Sequence, residues 1–289
     1  MITFLQRALA AKRQCSPQVA YASALRALAN RAVTDLAGNH LSSTHKAGSD
    51  TLWVTRPIVD GPPPHLPVCY RTEHITVVNK PAGIATTPRG SYIARSAVVA
   101  ARTQFHNPTV IAAHRLDRLT SGALLLVHSA QLRGRYQQLF ARAAVTKTYC
   151  AVTTPPRRPL PAGLDTGNIT AISLPLIKPA GHLQVRVDPH GTTTHTRIQL
   201  RRATNTAWWW RVWPTGGMQH QIRVVFHHLG IPIMHDPLYP EVLPPYAPQW
   251  YHGLALHAEE LAFTDPLSGE DVCVQAPLNR KLAGEAEAR

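Results

Sequence analysis

Apolar and polar residues alternate along several short stretches of this chain. Strand-like runs fall at His74–Asn79, Gly122–His128, Lys147–Val152, Leu183–Asp188, His195–Arg201 and Ala207–Trp213, and several of them alternate in this way. Such alternation is the pattern of antiparallel strands with one wet face. Two stretches change to helical spacing. Within Ala130–Val145, Leu132, Tyr136, Leu139 and Phe140 fall on one face; within His220–Leu229, Ile222, Val225, Phe226 and Leu229 do, and Gly230 supplies a stop. A third helix is predicted over Gln18–Ala37, after a basic, mildly amphipathic opening (Met1–Gln14) that also reads as helix. The order is not a regular βαβα alternation. The predicted class is therefore α+β: a mixed, largely antiparallel sheet flanked by helices, with a small N-terminal accessory region.

Proline marks the division. Gly61-Pro62-Pro63-Pro64-His65-Leu66-Pro67 reads as an extended linker, because proline fixes φ and removes donors. We place the accessory region and linker at residues 1–66 and the main domain at 67–289. A polar Ser/Thr/Gly-rich run, Gly38–Thr51, fills much of the accessory part.

Charge narrows the partners. Thirty Lys and Arg face sixteen Asp and Glu, a formal net charge of +14 over 289 residues. An excess of that size favours a polyanion, most commonly nucleic acid. No apolar run approaches the roughly 20 residues that span a bilayer, so no membrane partner is expected. Cys15, Cys69, Cys150 and Cys273 are dispersed and form no C-x-x-C pair, which argues against a zinc ribbon or a disulfide framework and fits a cytoplasmic home. The sixteen histidines include no H-E-x-x-H, and the adjacent pair His227-His228 points its rings in different directions on a helix; no metal is expected.

The candidate chemistry centres on one acid. In the run His114-Arg115-Leu116-Asp117-Arg118-Leu119-Thr120-Ser121-Gly122, Asp117 stands between two arginines just before a predicted strand. Neighbouring cations favour the ionised form of a carboxylate, and an ionised carboxylate in a pocket serves as nucleophile or base. By spacing alone the same run also fits a surface ion pair at a turn.

Four ordered stretches resolve that ambiguity by resemblance. The run from His114 to Leu126 resembles the central motif of the RluA-type pseudouridine synthases. Val77-Val78-Asn79-Lys80-Pro81-Ala82-Gly83 resembles their first motif, and Lys147-Thr148-Tyr149-Cys150-Ala151 their K-x-Y-x-A strand. His220-Gln221-Ile222-Arg223, with Gly230–Ile233 and Asp236–Tyr239 after it, resembles their H-Q-[IL]-R helix and its following loop. The similarity extends through Leu256-His257-Ala258 and Phe263–Gly269, and covers about residues 70 to 278.

The resemblance implies an RNA uridine isomerase acting on structured RNA, ribosomal or transfer, as a monomer. It implies Asp117 as the catalytic aspartate, Tyr149 as the ring that stacks on the target base and Arg223 as the partner of Asp117. Ile222 would line the pocket; spacing argues equally for ordinary core packing there. Arg115 either fills the gap left by a flipped base or binds a flanking phosphate, and Arg118, His220 and Lys80 complete the implied substrate-binding set. Lys80 with Pro81 also reads as structural support. The implied reaction is a redox-neutral isomerisation, so no cofactor is expected, and neither G-x-x-x-x-G-K-[ST] nor G-x-G-x-x-G occurs. The chain departs from the pattern at Thr215-Gly216-Gly217-Met218-Gln219-His220, where Met218 stands in for a basic residue or one residue is inserted. His235 replaces a common glycine before Asp236. Two alternatives remain at this point: a non-catalytic RNA-binding protein on the same scaffold, and a hydrolase with Ser121 as nucleophile, although no G-x-S-x-G surrounds that serine.

Overall fold

The computed structural model describes residues 24–25, 27–45, 52–55, 61–88, 93–161, 163–164, 167–244, 247–278 and 282. The chain divides into two compact units, Met1–Ile58 with Pro179–His182, and Val59–Lys178 with Leu183–Arg289.

In the first unit, strands β1 (Val33–Thr34) and β2 (Trp53–Val54) pair antiparallel, with Val33, Ala24 and Leu41 buried together. The helix predicted over Gln18–Ala37 is corrected here. Helical residues end by Ala29, Arg31 turns at φ +51°, and the chain enters β1. β-branched Val33 and Thr34 suit a paired strand better than a helix end. The predicted Met1–Gln14 helix and the start of this one lie outside the described residues.

The second unit is built on one sheet. Its strands are β3 (Val68–Arg71), β4 (Ile75–Lys80), β5 (Ile111–Ala112), β6 (Ser121–Val127), β7 (Thr146–Thr153), β8 (Thr170–Ile177), β9 (Arg186–Val187), β10 (Thr192–Ala203), β11 (Trp208–Thr215), β12 (Leu256–Thr264) and β13 (Asp271–Gln275). They run in the order β3-β4-β6-β12-β7-β11-β10-β8-β9, with β13 on β12 and β5 on β6. Among the described residues only β6 and β12 pair in parallel; the other pairings are antiparallel. The helices are α1 (Ala97–Gln104), α2 (Arg133–Ala141), α3 (Gln221–His228) and the short α4 (Gln249–His252). The mixed, largely antiparallel α+β architecture is as expected.

β6 lies inside the sheet between β4 and β12, and all seven of its residues are buried. Its alternate side chains feed two cores. Leu124 and Leu126 pack with Val78 and with Ala97, Val98 and Ala101 of α1. Leu125 and Val127 pack with Ile75, Val77 and Tyr136 of α2. Burial on both faces explains the near-continuous apolar run Ala123–Val127. A third core joins β7 and β11 to Ile222 and Phe226 of α3. Tyr149 touches the first and the third of these cores.

Several elements differ from the pattern reading. Leu183–Asp188 holds only the two-residue β9, because the Val185 amide is diverted to the Tyr239 hydroxyl at 2.8 Å. β8 runs unbroken through Pro175, a residue that reads from sequence as a strand breaker, and a bulge between Ala258 and Glu260 breaks the alternation of β12. The predicted linker ends inside the domain: Leu66 is fully buried, and the Gln104 side chain bonds both its N–H (2.9 Å) and its C=O (2.8 Å).

Candidate active site

The loop from Ala113 to Thr120 joins β5 to β6 and carries Asp117. Three features fix it. Thr86 Oγ1 donates to Leu116 O at 2.8 Å and accepts from Leu116 N at 3.1 Å. Thr120 N donates to Asp117 O at 3.1 Å. Gly122, at φ +112°, lets β6 approach β12 so closely that a Cβ would lie 2.2 Å from Ala258 O. Glycine is required there by both conformation and space.

Lys80 anchors the same loop from below. It is fully buried, and its ammonium donates to Pro81 O (2.9 Å), Ile84 O (3.1 Å) and, at 3.4 Å, Arg118 O. Burial pulls its pKa down to about 7, with the Asp117 charge pulling the other way. Lys80 therefore braces the loop and lacks the exposure needed to contact RNA, which corrects its place in the implied substrate-binding set. Arg118 also turns away from the pocket, toward the Trp250 ring at 5.7 Å and Gly83 O at 3.5 Å.

Asp117 faces a cavity of about 220 Å³, lined among others by Arg115, Lys147, Tyr149, Ile222 and Leu256. Its carboxylate is 28% exposed and accepts from Arg223 Nη1 at 3.1 Å. Arg223, on α3, is buried and makes a two-point pair with Asp236, Nε to Oδ2 at 2.8 Å and Nη2 to Oδ1 at 2.6 Å. Asp236 also accepts the amides of Leu238 (2.9 Å) and Tyr239 (3.2 Å), and the Tyr239 ring lies 5.3 Å from the guanidinium. Burial opposes the charge on Arg223, and the bonds to Asp236 and Asp117 outweigh it. One guanidinium thus serves two carboxylates, and Asp236 takes the larger share.

His220 starts α3 in the left-handed region at φ +57°. Such a conformation persists in a non-glycine residue only where surroundings hold it, and here Nδ1 lies 3.1 Å from the Tyr239 hydroxyl. Nε2 is 3.7 Å from Asp117 Oδ2. Burial pulls the imidazole down to about 4, more strongly than Asp117 pulls it up, so near pH 7 this contact joins a carboxylate to a neutral ring. Tyr149 pairs with Val212 on one side and Ala258 on the other. Burial first, then the Asp117 charge, push its phenol up, so it stays protonated. Ile222 both lines the cavity and packs in the core under α3, so both readings of it hold.

The structure therefore brings together Asp117, Tyr149, Arg223, Arg115, His220 and Ile222, and leaves Arg118 and Lys80 outside the cavity. Two participants carried no role in the sequence reading. Asp236 lay in the quoted Asp236–Tyr239 stretch, thirteen residues after Arg223, but only the fold shows it bonded to that arginine. Lys147 opened the K-x-Y stretch; its ammonium donates to Gly216 O, and burial lowers it to about 8. That bond pins the divergent loop at Gly216, while Met218 packs against the apolar cluster of Val224, Val225 and Leu238. The Ser121 alternative falls on geometry. Its hydroxyl pairs with His257 Nδ1 at 2.8 Å, but both residues are buried, neither lines the cavity, and His257 Nε2 points to Ala276 O at 3.1 Å rather than to a carboxylate.

The family model of RNA pseudouridylate synthases matches residues 74–228, which contain every part of this cavity except Leu256. The chain belongs to that family. Among curated relatives, the ribosomal large subunit pseudouridine synthase C of Vibrio vulnificus is 30% identical over 220 residues, 74% of this chain and 66% of the relative. The dual-specificity RNA pseudouridine synthase RluA of Vibrio cholerae is 32% identical over 207 residues, 71% of this chain and 80% of the relative. These relatives make the membership one of RluA type. The chain spans about two thirds of the length of the synthase C relative. The human RNA pseudouridylate synthase domain containing 4 structure superposes with a TM-score of 0.59 at 20% identity, over 75% of this chain and 90% of that one. At that identity the match speaks for the fold alone.

Proposed function

We propose that this protein isomerises specific uridines of structured RNA to pseudouridine, with Asp117 as the catalytic residue, and that RNA of the large ribosomal subunit is its first substrate. The observation that carries the reading is the Asp117 carboxylate, held by one N–H of a buried arginine and open to a cavity walled by Tyr149 and Ile222. The family membership and the ribosomal relatives support the reaction and the RNA class.

The target uridine leaves its stack, at a cost of about a few kcal/mol. Its base enters the cavity against the Tyr149 ring, whose π-face suits any flat base. Asp117 initiates cleavage of the N1–C1′ bond. Arg223 keeps the carboxylate oriented, and Asp236 keeps Arg223 from swinging wholly onto it. The freed uracil turns within the walls of Tyr149, Ile222 and Leu256 and rejoins C1′ through C5, which gives up its proton. The excess of basic residues serves the RNA backbone.

The test is release of tritium from RNA carrying [5-³H]uridine, prepared from a strain lacking the protein. Wild type releases tritium and Asp117→Ala releases none. Absence of release by wild type from both ribosomal and transfer RNA sinks the reading and leaves the non-catalytic RNA-binding alternative. Equal release by Asp117→Ala sinks the assignment of Asp117.

A further inference from the structure

A second cavity, of about 620 Å³, adjoins the first and shares Arg115, Lys147, Tyr149, Gly216 and Gly217 with it. Its volume lies within the roughly 300–1,000 Å³ of small-molecule sites. Nothing in the isomerisation just described uses it. One flank is α2, which contributes Arg133, Gln137, Phe140 and Ala141. The other is the approach to the Asp117 loop, with Ile111, Ala112 and His114.

The lining has a definite chemistry. Arg115, Arg133 and Lys147 are cationic, and no carboxylate lines the cavity among the described residues. Arg115 and Arg133 are exposed, so their guanidinium groups are available to an anion. The rest of the wall is apolar or neutral. His114 is part of a fixed floor: its ring stacks on Phe140 at 4.3 Å and its Nε2 accepts from Leu125 N at 3.1 Å. That bond leaves it an acceptor, and burial holds it neutral by pulling its pKa down to about 3. The Gln137 side chain offers an amide, a two-way hydrogen-bonding group of the kind that reads a base edge. Cations that grip a phosphate, apolar walls for a flat ring and one amide together describe a site for a nucleotide.

We propose that this second cavity receives the nucleotide next to the target uridine, with its phosphate at Arg115 and Arg133 and its base between α2 and the Ile111–His114 segment. The inference rests on the proposed uridine isomerisation and deepens it: specificity would come partly from a neighbour held outside its stack. Arg115 lines both cavities, which places it where the linkage between the two nucleotides must pass. Of the two roles implied for Arg115, this favours the flanking phosphate.

The experiment uses the full chain and an RNA oligomer built around a uridine whose carbodiimide signal is present in the parent strain and absent in a deletion strain. An abasic residue replaces the nucleotide on the 5′ or the 3′ side of the target. Wild type is expected to lose about tenfold or more in kcat/KM for one of the two replacements. Arg133→Glu, which meets the phosphate that an abasic residue keeps, is expected to lose about tenfold on the intact and the abasic oligomers alike; Ala141→Trp, which fills the base cavity from an exposed position, is expected to lose about tenfold on the intact oligomer and nothing further when the neighbour on that side is abasic. Arg135→Glu, the same charge change on the same helix outside the cavity, sets the general electrostatic loss. Two results overturn the inference: both abasic oligomers reacting within about twofold of the intact one, or both cavity variants matching Arg135→Glu. A wild type that forms no pseudouridine in any RNA overturns the proposed activity instead, and the two failures are told apart by that control.

Discussion

Two aspartates in this molecule sit at loops beside β-strands, and they are treated oppositely. Asp265, between β12 and β13, is saturated. Its carboxylate accepts the Tyr136 hydroxyl at 2.9 Å and the amides of Leu267 (2.8 Å) and Ser268 (3.2 Å). It ties α2 to the far corner of the sheet and faces no cavity of the site. Asp117, before β6, accepts one hydrogen bond, from Arg223, and turns the rest of its carboxylate to a cavity. Buried polar groups that serve packing are satisfied; a carboxylate short of partners and open to a cavity is a candidate for chemistry. The difference teaches where to look in such a fold: at the acid whose partners are themselves anchored. Arg223 is anchored by Asp236, so the loop around Asp117 need not supply its own clamp.

The largest effect expected is at Asp117. Asp117→Asn should lower kcat by about four orders of magnitude or more while leaving thermal stability close to wild type. A variant that keeps a tenth of wild-type tritium release, or one that unfolds, would erase the contrast with Asp265. Asp236→Ala comes next. It strips a buried arginine of its two-point partner, and removing one side of a buried ion pair costs about 3–5 kcal/mol. Urea unfolding should show that loss, together with reduced turnover in the folded fraction. A stability change under about 1 kcal/mol would show that Asp117 alone can hold Arg223.

At the other aspartate the sign of the experiment reverses. Tyr136→Phe removes one hydrogen bond to the Asp265 carboxylate, worth about 1.5–3 kcal/mol, and should leave kcat/KM unchanged. Loss of turnover without loss of stability would mean that the Asp265 corner communicates with the site. The smallest effect concerns pH. His220 has a folded pKa of about 4 against an ordinary 6.5. The unfolded chain then binds more protons between those values, so stability falls on acidification from about pH 6.5 toward about 4 and is fully present above that window. From pH 7 to 6 the contribution is about 0.7 kcal/mol or less. His220→Asn should flatten this part of the melting-temperature profile; an unchanged slope would assign it elsewhere.

Much of this molecule was legible in the order of its residues. The strands β7, β10 and β11 follow local alternation, β4 and β6 show as short apolar runs, and α3 follows helical spacing, so they could be seen without the fold. The stretches around Lys80, Asp117, Tyr149 and Arg223 carried the family pattern. Other elements were hidden: β8 because it carries a proline, β12 because a bulge breaks its alternation, and the burial of Leu66 because it sits in a proline run.

The sequence by itself determined the class of fold, the basic character and the candidate acid, because periodicity, charge and motif order are local or additive properties. Only the tertiary structure decided who surrounds that acid. It placed Lys80 beneath the loop instead of before the RNA, paired Arg223 with Asp236 and opened a second cavity beside the first. These facts depend on side chains converging from separate strands and helices. No window along the chain contains them, since burial and hydrogen-bond partners are set by packing across the sheet.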